Sequence, residues 1–334
     1  MRISYEEMLN EFKRILLKRG LDEATVHEAA ENFAQTSLDG VYSHGINRFP
    51  RIIDYIDRGV IQPNAKPECE MKFGSMERWN GNLGLGNINA KRAMERACTL
   101  AEENGMGIVA IRNTNHWLRG GAFGWQAAEA GFIGICFTNT MPNMPAYGGK
   151  DSKIGNNPFI IALPRTSGEH VVLDMAMSQF SYGKLEEYRM KDKELPIPGG
   201  YDQDGNLSSD PKAIEETRRV LPIGFWKGSG LSIVLDMLAV VLSGGNAVQD
   251  IAKEVQDEAG LSQVMIAIDP KKFNTADQID EMVSRIIEDI KSSDVDEKIG
   301  RVSYPGESTI SRRKDNQENG IPVVEEIWNK VKAL

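Results

Sequence analysis

Four histidines, at positions 27, 44, 116 and 170, are the side chains whose ordinary titration falls nearest neutrality. None belongs to an HExxH or paired-cysteine pattern, so no metal ligand set is legible, and zinc would need carboxylates gathered by the fold. His44 lies in VYSHGINRFPR, with Arg48 four residues on. If a helix begins near Gly45, the two side chains face one cavity. The imidazole then offers a proton near neutral pH, and the guanidinium offers a planar fork for a carboxylate. His116, in RNTNHW, follows a β-branched run, and loops at strand ends favour functional polar groups. His27 falls mid-helix on a polar face, and His170 opens a strand as a structural group. Either loop histidine alone reads as a satisfied interior or capping residue. Two of them with a well-placed arginine point to an active site for a small carboxylate.

Two segments suit an anion such as a diphosphate. In GFWKGSGLSIVLDML, Lys227 comes just before a long apolar helix that Gly228, Ser229 and Gly230 open, where a cation does not complement the helix dipole. Read alone, it is equally a solvated loop lysine. In YPGESTISRRK, Pro305 and Gly306 lead into a helix whose first turn exposes N–H groups, and Glu307 there can accept from ribose hydroxyls. GNLGLGNINA (81–90) is glycine-rich before a helix but lacks the third glycine of a dinucleotide fingerprint, so it reads as a connection. DQDGN (202–206) lacks the downstream glutamate of a calcium loop and reads as an Asp-Gly turn.

The elements that must position these groups fall into two kinds. Residues 4–60 read as three helices, with Ser4 and Glu7 in a capping-box pattern and stops at Gly20 and Gly59. From Met71 strands alternate with helices: residues 108–111, 133–138, 159–163, 170–175 and 263–268 are the strand candidates. That alternation argues an α/β unit with a mixed or largely parallel sheet. The expected division is a helical domain over 1–70, a cofactor-binding α/β domain over 71–274, and helices from 275–334 packing on the first. PIPGGYDQDGNLSSDP (196–211) is a long loop within the α/β part.

A length of 334 residues supports a large core, and a net charge of −9 gives no footprint for nucleic acid or an anionic membrane. Three scattered cysteines are neither a disulfide framework nor a zinc set. MRISYEEMLNEF has no apolar signal core, and LSIVLDMLAVVL carries Asp236 and reads as a buried helix. The expectation is a cytoplasmic protein.

YSHGINRFP, IRNTNHW, IGNNPF, DMAMS, LPIGFWKGSGLSIVLDML and YPGES, in this order over nearly the whole chain, resemble the type 2 malate/L-lactate dehydrogenase family. The resemblance implies a non-Rossmann α/β fold, a homodimer, and an NADH-dependent (NADPH possible) reductase of a small anionic keto acid. NHWLRGG and GGYD resemble the branch acting on a sugar-derived 2,3-dioxo acid. Malate, lactate, ureidoglycolate or a cyclic imino acid are the alternative substrates, and a redox sensor without turnover is the non-enzymatic one. The resemblance makes His44 the proton donor, Arg48 the carboxylate anchor and His116 a second substrate-site residue. It assigns cofactor contacts to His170, Val171, Val172, Leu173, Asp174, Met175, Ala176, Trp226, Lys227, Gly306, Glu307 and Ser308. Tyr147 stands in the implied substrate wall where the family has a tryptophan.

Overall fold

Three helices open the chain, α1 (Tyr5–Leu17), α2 (Glu23–Leu38) and α3 (Phe49–Asp57). The structure, a computed structural model, describes residues 1–251, 257–298 and 300–334. Ser4 caps α1 by accepting from the Glu7 N–H at 3.1 Å, and Asp22 caps α2 through the Thr25 N–H at 2.9 Å. Their apolar faces meet where the Phe12 ring stacks on Phe49 at 4.2 Å and Phe33 meets Phe49 edge-on at 5.0 Å. Trp328 and Val331, near the C-terminus, are buried in the same cluster.

A seven-stranded sheet forms the second layer. Its strands are β1 (Glu68–Phe73), β2 (Met76–Asn80), β3 (Met106–Asn115), β4 (Ile133–Thr138), β5 (Phe159–Leu163), β6 (Val171–Met175) and β7 (Ala259–Ile268). The spatial order is β1-β2-β3-β7-β4-β5-β6. Only β2 and β3 pair in parallel, with Glu77 opposite Val109. Every other pair is antiparallel, so the sheet is mixed and the largely parallel alternative is excluded. β7 lies at the centre, Val264 facing Ala110 on one side and Phe137 on the other, and is buried along nearly its whole length.

Successive side chains on these strands serve two cores. Val109, Cys136, Ile160 and Met265 pack against α4 (Gly86–Asn104) and α5 (Gly121–Glu129). Ala110, Phe137 and Val264 form the opposite core with Leu235 and Ala239. Those two belong to α8 (Trp226–Ser243), which follows the short helices α6 (Tyr182–Met190) and α7 (Pro211–Thr217). The chain closes with α9 (Val248–Ile251), α10 (Ala276–Lys291), α11 (Glu307–Asn319) and α12 (Glu325–Lys332). Of the C-terminal helices, α12 lies on the α1–α3 cluster, and α11 reaches both layers through Asn316 (to Leu38 O, 2.8 Å) and Ile310. α10 is held elsewhere, by Arg165 to Asp280 at 3.4 Å and to Ser284 at 3.0 Å.

Several sequence expectations need correction. α3 begins at Phe49, because residues 42–44 form a 3-10 turn and residues 45–48 complete a pinned loop. LSIVLDMLAVVL is half a core helix: Leu235 and Ala239 are buried, while Val234, Met237 and Val241 are 48, 60 and 72 % exposed. Only one of its faces meets the sheet. The 196–211 loop contains a two-residue hairpin, Gly200–Tyr201 on Leu207–Ser208, closed by Asp202 accepting from the Asn206 N–H at 2.8 Å. The glycines of 81–86 serve packing, since a Cβ on Gly86 would fall 2.1 Å from the Asn115 carbonyl oxygen.

Candidate active site

The SHG turn is fixed to the end of α2. Ser37 donates to Phe33 O at 2.9 Å and accepts from the Ile46 N–H at 2.9 Å. Gly45 is needed there, because a Cβ would meet Ser37 Oγ at 2.2 Å. The turn delivers His44 and Arg48 to a cavity of about 660 Å³ that His116, Arg119, Asp174 and Glu258 also line. The His44 and His116 rings lie nearly parallel with centroids 5.8 Å apart. His44 Nδ1 is 3.0 Å from Ser43 Oγ. His116 Nδ1 accepts from the Leu118 N–H at 3.0 Å, so the neutral ring carries its hydrogen on Nε2. Leu118 is held at φ +68°, a conformation rarely adopted by a non-glycine residue, directly beside the cavity.

Electrostatics keep both histidines neutral in the free protein. Burial, then the Arg48 and Arg119 charges, push His44 down to about 4. Burial, then Arg48 and His44, hold His116 well below the ordinary range. Arg48 donates through Nη2 to Glu258 Oε2 at 3.0 Å, while its Nε is buried without a partner among the described residues. Arg189 is paired with Glu215 at 2.6 Å, and Arg119 with Asp39. Arg51 lines the same cavity and makes no ion pair among the described residues. Arg119 also approaches Asp174, Nε to Oδ2 at 3.6 Å. Glu258, Arg119 and Arg51 carried no assignment from the sequence. Arg119 belonged to a motif already singled out, NHWLRGG, whereas nothing local marks Glu258.

The remaining expected residues form a second group beside this cavity. β6 is the sheet's edge, and its Val172 N–H donates to Pro305 O at 2.9 Å, seating the start of α11 against it. Gly306, at φ +99°, permits the approach, since a Cβ would lie 3.0 Å from Val172 N and 3.1 Å from His170 O. His170 turns its ring inward, where Nδ1 accepts from the Arg165 N–H at 3.0 Å, which leaves its backbone at the groove. Leu173 and Met175 alternate with Val172 and Asp174 along the strand. Glu307 is paired with Lys291, and Ser308 follows in the first turn of α11. Asp174 and Ala176 reach the cavity itself. Trp226 and Lys227 are exposed at the start of α8 and do not line it. Their helix is tied to the end of β6 by the Ile223 N–H donating to Met177 O at 2.8 Å. Tyr147, expected in the substrate wall, is 56 % exposed and stands edge-on to Phe225 at 6.3 Å, outside the cavity.

The family described as malate/L-lactate dehydrogenase matches residues 3–332. A 2,3-diketo-L-gulonate reductase of Haemophilus influenzae is 46 % identical over 334 residues, covering all of both chains. Among solved structures, malate dehydrogenase from Entamoeba histolytica superposes with a TM-score of 0.94 at 26 % identity, over 100 % of this chain and 96 % of that one. Sulfolactate dehydrogenase from Methanocaldococcus jannaschii superposes with a TM-score of 0.90 at 30 % identity, over 100 % and 96 %. This chain therefore belongs to the malate/L-lactate dehydrogenase family and is an oxidoreductase.

Proposed function

We propose that this protein reduces 2,3-diketo-L-gulonate to 3-dehydro-L-gulonate with NADH, NADPH being the alternative donor, in the cytoplasm. The observation that carries the reading is the delivery of His44 and Arg48 by one pinned turn into one cavity. Full-length similarity to the H. influenzae reductase supports the substrate. The nicotinamide cofactor supplies hydride to the keto carbon when bound. Arg48, anchored by Glu258 through one edge, and Arg51, without an ion-pair partner among the described residues, hold the substrate carboxylate and orient the carbonyl. His44 gives the proton to the developing alkoxide. In the empty site His44 is neutral at pH 7, because Arg48 and burial oppose its charge. An incoming carboxylate offsets Arg48, so His44 gains its proton together with the substrate.

The residues fit a dinucleotide. The β6 edge turns the Asp174 N–H the same way as that of Val172, into the groove. The Ser308 N–H in the first turn of α11, which has no acceptor among the described residues, and the exposed Lys227 provide a donor and a cation for phosphates. The uncovered face of α8, with Met71 (60 % exposed) on the hairpin next to it, supports a homodimer through that surface. Arg78 ties the two together, Nε donating to Leu242 O at 2.9 Å. Val241→Glu should then give a monomer by light scattering, and an unchanged mass would exclude this face.

The test of function is NADH oxidation with 2,3-diketo-L-gulonate beside pyruvate, oxaloacetate and sulfopyruvate. A second reading, favoured by Arg51, is a keto acid with a second anionic group. Oxaloacetate or sulfopyruvate outpacing the sugar acid would establish it, and turnover of none would leave the redox-sensor alternative.

A further inference from the structure

Asp174 keeps 30 % of its side chain open and lines the cavity. Its Oδ2 is turned to the protein. It accepts from the Gly121 N–H at 3.0 Å and faces the buried Arg119 guanidinium at 3.6 Å. The cradle is built for it, because a Cβ on Gly121 would sit 2.4 Å from that oxygen. Oδ1 has no hydrogen-bond partner among the described residues. Arg119 is in turn clamped by Asp39, which Arg313 also holds at 2.7 Å. One oxygen is therefore locked at the base of the cavity, and the other is presented to it as a fixed acceptor.

We propose that Asp174 Oδ1 accepts a hydrogen bond from the primary carboxamide of the nicotinamide ring, with Arg119 and the Gly121 amide as its positioning groups. The inference rests on the nicotinamide reading above and adds which end of the ring this chain reads. A fixed carboxylate repels the keto acid's own carboxylate, which has Arg48 and Arg51 to meet it, so its partner is a neutral donor. The strand bearing Asp174 also carries the groove beside Gly306. A dinucleotide lying along that edge brings its ring to Asp174 and Ala176, the two residues of the segment that line the cavity. A hydroxyl of the substrate is the other source of such a donor.

The experiment compares binding of NAD⁺ with that of its 3-acetylpyridine analogue, in which a methyl replaces the amide nitrogen. The readout is quenching of tryptophan fluorescence, without turnover. The wild-type protein should bind NAD⁺ about tenfold more tightly than the analogue, one hydrogen bond to a charged acceptor. Asp174→Asn is nearly isosteric. Its carbonyl must face the Gly121 and Arg119 donors, so its NH₂ faces the cavity, a donor where an acceptor stood. The preference should fall to about one or invert. Equal affinities in the wild type, or an unchanged preference in Asp174→Asn, would overturn the assignment. A rise in KM for the keto acid with the dinucleotide preference intact also overturns it and identifies the substrate hydroxyl as the donor. Absence of any saturable NAD⁺ and NADH binding would instead remove the cofactor reading, and this inference with it.

Discussion

His44 and Arg48 stand four residues apart on one turn, fixed by Ser37 and by the absence of a side chain at Gly45. The groove beside them joins residues 170–176 to residues 305–308 by one hydrogen bond, from Val172 to Pro305, and the helix start at Trp226 by another, from Ile223 to Met177. The first region is contiguous, walled and electrostatically tuned. The second is assembled from distant segments, with its cation exposed. Chemistry needs a proton and a carboxylate held to fractions of an ångström, which a short pinned turn provides. Holding a long, flexible dinucleotide spreads over many weak contacts, none of which must be as exact.

That contrast predicts concentrated effects in the turn and diffuse ones in the groove. His44→Asn should lower kcat by about a thousandfold, the range of general acid catalysis, while the NADH Kd stays within about twofold. Stopped-flow turnover beside a fluorescence titration separates the two. Near-normal turnover would move the proton to His116, whose Nε2–H is the nearest alternative.

The same burial makes stability depend on pH. The His44 pKa is depressed to about 4 in the folded chain, against about 6.5 when unfolded. The unfolded chain thus binds the extra proton first. The contribution is fully present above pH 6.5 and is lost as pH falls towards 4, by about 3 kcal/mol for this residue. His116 acts in the same direction. Chemical denaturation at pH 7 and pH 4.5 should show a loss that His44→Asn reduces. If the variant and the wild type lose stability equally over that range, His44 is not the buried neutral group described.

Arg48→Met should raise KM for the keto acid by about a hundredfold, as one charged double contact disappears and Glu258 is left without its cation. NADH affinity is again the control. A loss shared equally by NADH and keto acid would mean that the variant disturbs the groove as well and that the two regions are not separable.

How much of this was legible follows the same division. That His44 and Arg48 share one cavity was readable because they stand four residues apart on one turn. The Phe159–Leu163 strand was readable because an apolar run met clear punctuation, whereas α8 begins at Trp226, two residues before the glycines that were expected to open it. The β1–β2 hairpin was not, since β1 is exposed along its whole length and ECEMKF shows no buried alternation. Glu258 was not, because it reaches Arg48 from 210 positions away through the fold. The α3 start was misplaced for a physical reason too, as Gly45 stands at φ −101° and ψ −116°, outside the helical region. Half of α8 was misjudged because an apolar residue on an open face and one facing a core look alike in sequence.

Lys227 gives the smallest and sharpest contrast. It is exposed in the first turn of α8, lies outside the cavity, and has no ion-pair partner among the described residues. A cation at that end of a helix opposes the dipole, so its removal should leave stability unchanged or slightly raised. If it meets a phosphate, Lys227→Ala should raise the NADH Kd by about tenfold, with kcat at saturating cofactor within about twofold. Because the site is open to solvent, that difference should shrink between 50 mM and 500 mM salt, where the screening length falls from roughly 14 to 4 Å. The losses in His44→Asn and Arg48→Met, buried in the cavity, should not. A salt-insensitive loss at Lys227 would show that its charge is not what the cofactor meets, and the groove would then end short of α8.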